Sequence, residues 1–319
     1  MKVRTGPIAY LQYIGLRLAG LVLQMFPIDL NLRTARLFGT MFWRFGHRYR
    51  ERAAQHLRDA YPSEFSETQI QAMVHRCFQH WSMFVVEFLC AFRRLNEWTW
   101  ARYIEPVDMQ EPLDLLLDGG GAILLTGHYG NFELTAYVLA NIGFETVAVM
   151  RPLDNKFLND YMVRTRARRG LRLLNKAGVT NEAEKVLRHG GTIGFVADQD
   201  AGRKGIFVDF FGRKASTYKS IALLAMQYEV PILVGFARRL GDRFQYEARI
   251  PRIIRPEEWR ERDDPVRWIT QEYTTAIESF VRQAPEQYLW LHRRWKSRPR
   301  TEAAKPTDSN PWASGVAAS

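Results

Sequence analysis

The chain is predicted to fold as an α/β protein with a mostly parallel central sheet flanked by helices. Three observations lead there. From Gly121 onward, short apolar runs at 122–126, 145–150, 193–197, 232–236 and 244–250 alternate with helix-like segments at 131–141, 155–170, 180–189 and 216–228. Strands separated by helices need crossover connections, and crossovers give parallel pairing. Pro231 stands directly before the run from Ile232, a position that suits the first residue of a strand. The 319 residues, 46% hydrophobic and 25% charged, are ordinary globular material with enough length to close a core.

Ahead of the alternating region the chain reads as helical. Ile8 to Phe26 is mostly apolar but holds Gln12, Arg17 and Gln24. That length just reaches across a bilayer, yet Arg17 near its middle is costly there. Residues 1–28 are therefore expected to form a membrane anchor helix, tilted or partly inserted. The alternative is a buried first helix of the domain. A cleavable signal peptide fits less well, since Arg17 breaks the apolar region and no cleavage site follows. Residues 29–118 read as a helical subdomain. Leu32–Phe45 and Arg48–Tyr61 are periodic and basic, Pro62-Ser63-Glu64 breaks the pattern, and Glu67–Leu95 is a long amphipathic helix. Residues 119–298 form the α/β body, which closes on a helix from Asp264 to Gln283. Residues 299–319, rich in Pro, Ala, Ser and Thr, read as a disordered tail.

Lys and Arg outnumber Asp and Glu by 45 to 34, a formal charge of +11. Such a surface attracts anionic lipid, nucleic acid, phosphorylated substrates or acidic proteins, and charge alone does not choose. Only Cys77 and Cys90 occur, without framework spacing, which fits a reduced, cytosol-facing body.

The chemistry concentrates at His128-Tyr129-Gly130-Asn131-Phe132-Glu133. An apolar run enters it and a helical segment leaves it, so the His sits where an open α/β sheet presents its ligands. With Asn131 as helix cap, Glu133 falls in the first turn, where the dipole keeps its carboxylate charged. Chain reversal at Gly127 and Gly130 can bring His128 within reach of Glu133, and a carboxylate that orients a His makes a general base. Arg151 follows the next strand, and Arg164, Arg166, Arg168 and Arg169 crowd the helix after it. They cannot all share one helix face, so at most one or two line a site. Asp198 and Asp200 follow the strand ending at Ala197, on the same rim as His128. They could hold an Arg, polarise the His or bind a cation. No metal is expected, because such sites need further oxygen ligands.

Other patterns carry less. His75 and His80 point about 140° apart on one helix, a poor geometry for one ion. Gly119-Gly120-Gly121 lacks the Gly-Lys-Ser/Thr of a phosphate loop. The absence of a Gly-x-Ser-x-Gly elbow removes the usual serine acyl-enzyme. His292-Arg293-Arg294-Trp295-Lys296 mixes cations with an aromatic ring, as nucleic-acid binders and membrane-surface proteins both do.

His128-x4-Glu133 is the signature of the lysophospholipid acyltransferase superfamily. Val149-Met150-Arg151-Pro152-Leu153-Asp154-Asn155, Ala197-Asp198-Gln199-Asp200-Ala201-Gly202, Phe210-Phe211-Gly212 and the block from Ala284 to Lys296 narrow it. Together, over roughly residues 5 to 300, they resemble the late acyltransferases of lipid A biosynthesis, the bacterial lauroyl/myristoyl transferases. The resemblance implies a glycerol-phosphate-acyltransferase-like fold and transfer of a fatty acyl chain to a hydroxyl of a lipid A precursor. The donor it implies is a thioester of acyl carrier protein or CoA, a co-substrate, with no bound cofactor. It implies His128 as base, Glu133 as its partner, Arg166 and Asp198 in the catalytic set, and Arg151, with Arg164 and Asn131, on the substrate. It places the protein at the bacterial inner membrane, with its catalytic body on the cytoplasmic face and no nucleic acid. It assigns the closing block to the anionic membrane, with packing of Trp290 and Trp295 on the body as the alternative. Two other readings are an acyltransferase of the same fold acting on another glycolipid or lysophospholipid, and a non-catalytic basic membrane-binding protein. The absence of a Phe-Pro-Glu-Gly-Thr-Arg block weighs against the glycerol-phosphate branch.

Overall fold

The computed structural model describes residues 3–90, 95–167, 170–175 and 179–299. All of the expected tail except residue 299 lies outside the described residues. Four helices come first: α1 (Pro7–Gln24), α2 (Ile28–Phe45), α3 (His47–Ala60) and α4 (Glu67–Cys90). Then follow β1 (Ile104–Val107), α5 (Gln110–Leu117), β2 (Ala122–Thr126), α6 (Phe132–Asn141), β3 (Thr146–Met150), α7 (Lys156–Ala167), β4 (Leu171–Asn175), α8 (Val179–Arg188) and β5 (Thr192–Val196). The chain continues through β6 (Ile206–Phe210), β7 (Arg213–Thr217), α9 (Ser220–Tyr228), β8 (Ile232–Arg239), β9 (Tyr246–Ile254), α10 (Pro256–Trp259) and α11 (Pro265–Gln283).

Seven strands form one sheet in the order β1-β9-β8-β2-β5-β3-β4. The run from β8 to β4 is parallel throughout, and only the β8–β9 pair is antiparallel. The expected α/β class with a mostly parallel sheet is what forms. Alternate residues of each strand feed opposite layers. Ile123, Leu125, Val147 and Ile193 pack with Ala183, Ile221 and Ile277 from α8, α9 and α11. Ala122, Leu124, Leu171 and Leu233 pack with Leu134 and Ala136 of α6, and that layer runs on to Leu32 of α2 and Met83 of α4.

Several elements differ from expectation. Residues 104–107 lie in the stretch read as helical, yet form an edge strand paired with β9. Residues 171–175 form the opposite edge on β3. Residues 206–217 form a hairpin, β6–β7, where a helix was expected to begin at 216. Its two-residue turn, Phe211-Gly212, has both φ angles positive, +53° and +68°. That geometry usually calls for Asn-Gly or Asp-Gly. Here Phe211 takes the left-handed conformation because its ring is buried against Tyr61 and Trp290. The closing block is also corrected: Trp290, Arg294 and Trp295 are interior, leaving Arg293 and Lys296 exposed.

The first helix forms where expected and lies against α4 and α7. Its packed face includes Ala9 and Gly20, and most of its other side chains remain exposed. Arg17 turns toward the body, donating to the Tyr13 hydroxyl at 2.9 Å with its guanidinium 4.6 Å from the Tyr161 ring centre. No helix among the described residues is long and apolar enough to cross a membrane.

One buried polar cluster ties the helical layer to the sheet. Glu87 of α4, fully buried, accepts from Arg239 of β8 at 2.5 Å, from the Tyr246 hydroxyl of β9 at 2.5 Å and from Asn131 Nδ2 at 2.9 Å. Removing one member leaves a charge buried without its partner. Glu87→Ala should therefore destabilise the protein by about 3–5 kcal/mol in urea unfolding. Asp242→Ala, at the exposed pair with Arg36, should cost under about 1 kcal/mol.

Candidate active site

β2 and β5 are neighbours in parallel register, with Thr126 opposite Val196. Two residues beyond each of those positions stand His128 and Asp198. Equal overrun on adjacent parallel strands brings the two side chains together at the carboxyl edge of the sheet. Asp198 Oδ1 lies 2.6 Å from His128 Nδ1, and Oδ2 accepts from the His128 backbone N–H at 2.8 Å.

The turn between β2 and α6 is bound from all sides. The His128 carbonyl accepts from Leu289 N at 3.0 Å, Gly130 N donates to Gln287 O at 3.2 Å, and Asn131 N donates to Ala237 O at 2.9 Å. The Gly130 carbonyl accepts from His80 Nε2 of α4 at 3.1 Å. Gly130 has φ +55°, and a Cβ there would fall 2.0 Å from the Ala237 oxygen. Only glycine satisfies both conditions. The His128 ring packs edge-on against Phe132, which stacks on Phe84.

The electrostatics follow from burial and pairing. Burial opposes the Asp198 carboxylate, but His128 outweighs it and holds the pKa down to about 2. Burial pulls the His128 imidazole down, and Asp198, with a smaller contribution from Glu133, more than reverses this, so the net shift is upward. A charged Asp198 fixes the tautomer. Nδ1 carries the proton donated to Asp198, and Nε2 is left unprotonated, with its lone pair as the acceptor. Gln199 Nε2 stands 3.3 Å from that nitrogen.

Glu133 takes another partner than expected. It lies in the first turn of α6, and its Oε1 sits 2.5 Å from Arg166 Nη2 of α7. Among the described hydrogen bonds it makes none to His128, whose orientation comes from Asp198 instead. The reason is direction, because the His128 ring leaves its turn toward the neighbouring strand end. Burial raises the Glu133 pKa, and Arg166 offsets part of that rise. Arg166 is itself buried, with its guanidinium 5.2 Å from the Phe88 ring centre and Nη1 3.5 Å from Met150 Sδ.

The remaining expected residues separate. Arg151 is exposed at the rim, 3.5 Å from Asp154. Arg164 is exposed on α7 and does not line the cavity beside His128. Arg168 and Arg169 lie outside the described residues. Asn131 is correctly placed at the N-cap of α6, but makes no side-chain cap. Its amide turns away from the cavity to Glu87, so the expected substrate contact is not where the structure puts it. Asp200 points away from Asp198 and accepts from Ser297 N and Oγ, which anchors the closing block. Gln199 lies inside the Ala197–Gly202 motif, but nothing in its residue type marks its side chain as facing the imidazole. Arg294, buried, donates to the Gln199 carbonyl at 3.2 Å and to Ser216 O and Thr217 Oγ1 at 2.6 Å. Only its position in a mixed basic and aromatic run signalled it.

His128, Glu133, Arg151, Arg166 and Gln199 line a cavity of about 670 Å³. That falls within the usual range of ligand clefts. Its lining includes one sheet face made of Leu124, Ala148, Leu171, Leu173 and Gly194, an apolar surface. The arrangement offers a base, a buried guanidinium and an apolar slot on one rim. It suits proton removal from a hydroxyl beside a carbonyl whose substituent is hydrocarbon.

Comparison with known proteins agrees with that chemistry. The model of a family described as bacterial lipid A biosynthesis acyltransferase matches residues 2–297. The lipid A biosynthesis lauroyltransferase of Escherichia coli (strain K12) is 27% identical over 301 residues, covering 92% of this chain and 94% of that protein. The lipid A biosynthesis palmitoleoyltransferase of the same organism is 27% identical over 309 residues, covering 93% and 95%. A lipid A biosynthesis acyltransferase of Haemophilus influenzae is 28% identical over 190 residues, 56% of this chain and 57% of that protein.

The His128–Asp198 contact sets a titration. By NMR, His128 should show a midpoint above the ordinary His value of about 6.5. In Asp198→Asn burial is opposed only by the smaller contribution of Glu133, and the midpoint should fall below 6.5. The sign carries into stability. What the raised His128 contributes is complete below its unfolded pKa and is lost as pH rises through its folded one. What the lowered Asp198 contributes is complete above about 3.9 and is lost as pH falls toward about 2. An unmoved His128 midpoint in Asp198→Asn would remove the pair from the site's electrostatics.

Proposed function

The chain belongs to the bacterial lipid A biosynthesis acyltransferase family and is an acyltransferase, and from that premise we propose that it moves a fatty acyl chain from a thioester donor to a hydroxyl of a lipid A precursor. The donor is an acyl chain on acyl carrier protein or CoA. The acceptor is a phosphorylated glucosamine disaccharide that already carries primary acyl chains. The observation that carries this reading is the His128–Asp198 pair beside a cavity with an apolar sheet face in its lining.

The residues divide the reaction between them. His128 Nε2 takes the acceptor hydroxyl proton while Asp198 holds Nδ1 and stabilises the imidazolium that forms. The hydroxyl oxygen attacks the thioester carbonyl. Negative charge then develops on the carbonyl oxygen, where the Arg166 guanidinium, fixed by Glu133, stabilises it. As the intermediate collapses, the C–S bond breaks and the imidazolium returns its proton to the departing thiolate. Transfer is direct, with no acyl-enzyme. Leu124, Ala148, Leu171, Leu173 and Gly194 cover the hydrocarbon chain. Arg151, exposed at the mouth, meets the polar part of a substrate.

His128→Ala should lower kcat by about 10²–10⁴-fold while the circular dichroism spectrum stays unchanged. Arg166→Ala should reduce transfer far more than Arg164→Ala, since only the first faces the cavity. Near-normal turnover in His128→Ala would sink this mechanism, and equal effects of the two arginines would reduce α7 to a basic surface.

The lipid acceptor places the enzyme at the inner membrane, with the body on the cytoplasmic face. Support comes from an exposed apolar surface of Ile8, Leu11, Leu18, Leu21, Leu37 and Phe38 on α1 and α2. With Arg17 turned to Tyr161, that surface can lie in the interfacial plane without crossing the bilayer. The wild type should remain on membranes through a 1 M salt wash, where the Debye length is about 3 Å. A Leu11→Glu/Leu18→Glu/Leu37→Glu variant should be extracted by it. Release of the wild type by salt would leave charge, not burial, as the attachment.

A further inference from the structure

Among the described residues, three arginines near the active-site rim form no ion pair. Arg48 and Arg52 stand four residues apart on one face of α3. Arg52 Nη1 reaches the Leu291 carbonyl at 3.3 Å, which brings the exposed Arg293 beside them. None of the three takes part in an ion pair among the described residues, although acids are close by. Glu51 of the same helix pairs with Arg58, and Asp59 pairs with Arg213. Partial burial and then the charges of Arg293 and Arg48 hold Arg52 below its ordinary pKa, so the cluster repels itself.

The cluster borders apolar surface. Phe45 and Tyr49 are exposed beside it, Phe42 contacts Tyr49 at 5.8 Å, and the Arg52 guanidinium lies 5.5 Å from the Tyr49 ring centre. Arg50 similarly lies over Trp43, at 5.4 Å. Aromatic rings flanking uncompensated cations match an anionic group held at an oil–water boundary. The cluster is also close to the reactive imidazole. Leu289 N donates to the His128 carbonyl, and Arg293 follows Leu289 by four residues, a span of at most about 15 Å when extended.

We propose that Arg48, Arg52 and Arg293 form a seat for a phosphate monoester on the headgroup of the lipid acceptor, which holds the acceptor with its hydroxyl near His128. The proposal rests on the reading of a phosphorylated lipid acceptor. Three cations with no acid among them favour a dianionic monoester over a singly charged diester. Arginine forks give directional hydrogen bonds to its oxygens.

The test is binding, without donor or turnover, so its failure is separable from a failure of the transfer reaction. Full-length protein is titrated with phosphatidylcholine vesicles carrying either phosphatidic acid, a monoester, or phosphatidylglycerol, a diester, matched for total charge at about 0.15 M salt. Three proteins are compared: wild type, Arg48→Gln/Arg52→Gln/Arg293→Gln, and a control of equal charge change on the far edge, Arg172→Gln/Lys185→Gln/Arg188→Gln. The wild type and the control should prefer the monoester vesicles. The cluster variant should bind them at least about tenfold more weakly and lose the preference. Equal losses in the two triple variants would overturn the proposal in favour of general charge attraction. A wild type with no monoester preference would overturn it in favour of bulk headgroup binding. Thermal melts of the variants should match the wild type, because Arg48 and Arg293 are exposed and Arg52 is only half-buried.

Discussion

The turn from Gly127 to Asn131 carries the His128 imidazole on backbone gripped by its surroundings. The Asp198 carboxylate holds the His128 N–H, the closing block holds the His128 carbonyl and the Gly130 N–H, α4 holds the Gly130 carbonyl through His80, and β8 holds the Asn131 N–H. A buried turn cannot leave such groups unpaired without a cost of about 1–3 kcal/mol each. Satisfying them from different elements holds the turn backbone, and Asp198 and Phe132 orient the ring itself. The helical layer is thereby part of the site, although no residue of α4 lines the cavity beside His128. His80 and Glu87 lie seven residues apart, on one face of α4, and both act on this turn, one directly and one through Asn131. His80 can do so because burial keeps it neutral, with a pKa near 3, so that it donates to a carbonyl without bringing a charge.

Charge is used differently inside and outside. Within the body, three largely buried carboxylates each meet a cation, Glu87 with Arg239, Glu133 with Arg166, and Asp198 with the imidazole. Each pair limits the cost of burying its members and fixes an orientation. At the surface the pairs are solvent-exposed, as Arg36 with Asp242 and Arg249 with Asp108, and among the described residues Arg48, Arg52 and Arg293 form no ion pair beside the exposed Phe45 and Tyr49. Under the proposed function, this apolar surface with its basic edge would face a bilayer that carries the acceptor. The +11 formal charge is then a matter of association rather than of fold.

The sequence by itself determined the fold class and the location of the site. The strands at 122–126, 145–150, 193–197 and 232–236 are short apolar runs with clear boundaries, and four of the central parallel strands formed there. His128, Glu133, Arg166 and Asp198 were identified by residue type, their place at strand and helix ends, and the family pattern, and all four came together on one rim. The edge strands at 104–107 and 171–175 escaped, since a strand of four or five residues paired on one side has little apolar periodicity to show. The hairpin at 206–217 escaped because its turn is Phe-Gly, tolerated only where the Phe ring is buried.

Only the tertiary structure decided which carboxylate serves which cation. Spacing suggested His128 with Glu133, five residues apart. The sheet register instead sets His128 against Asp198, seventy residues away, and leaves Glu133 to Arg166. Pairing across strands is set by which strands are neighbours, and neighbour order is a property of topology that no local window of sequence contains. The same reason turned the closing block inward. A run of His, Arg and Trp reads equally well as a membrane patch or as core. The hydrogen bonds from Arg294 to Ser216, Thr217 and Gln199, three positions brought together by the fold, place Trp290, Arg294 and Trp295 in the core and leave Arg293 and Lys296 at the surface.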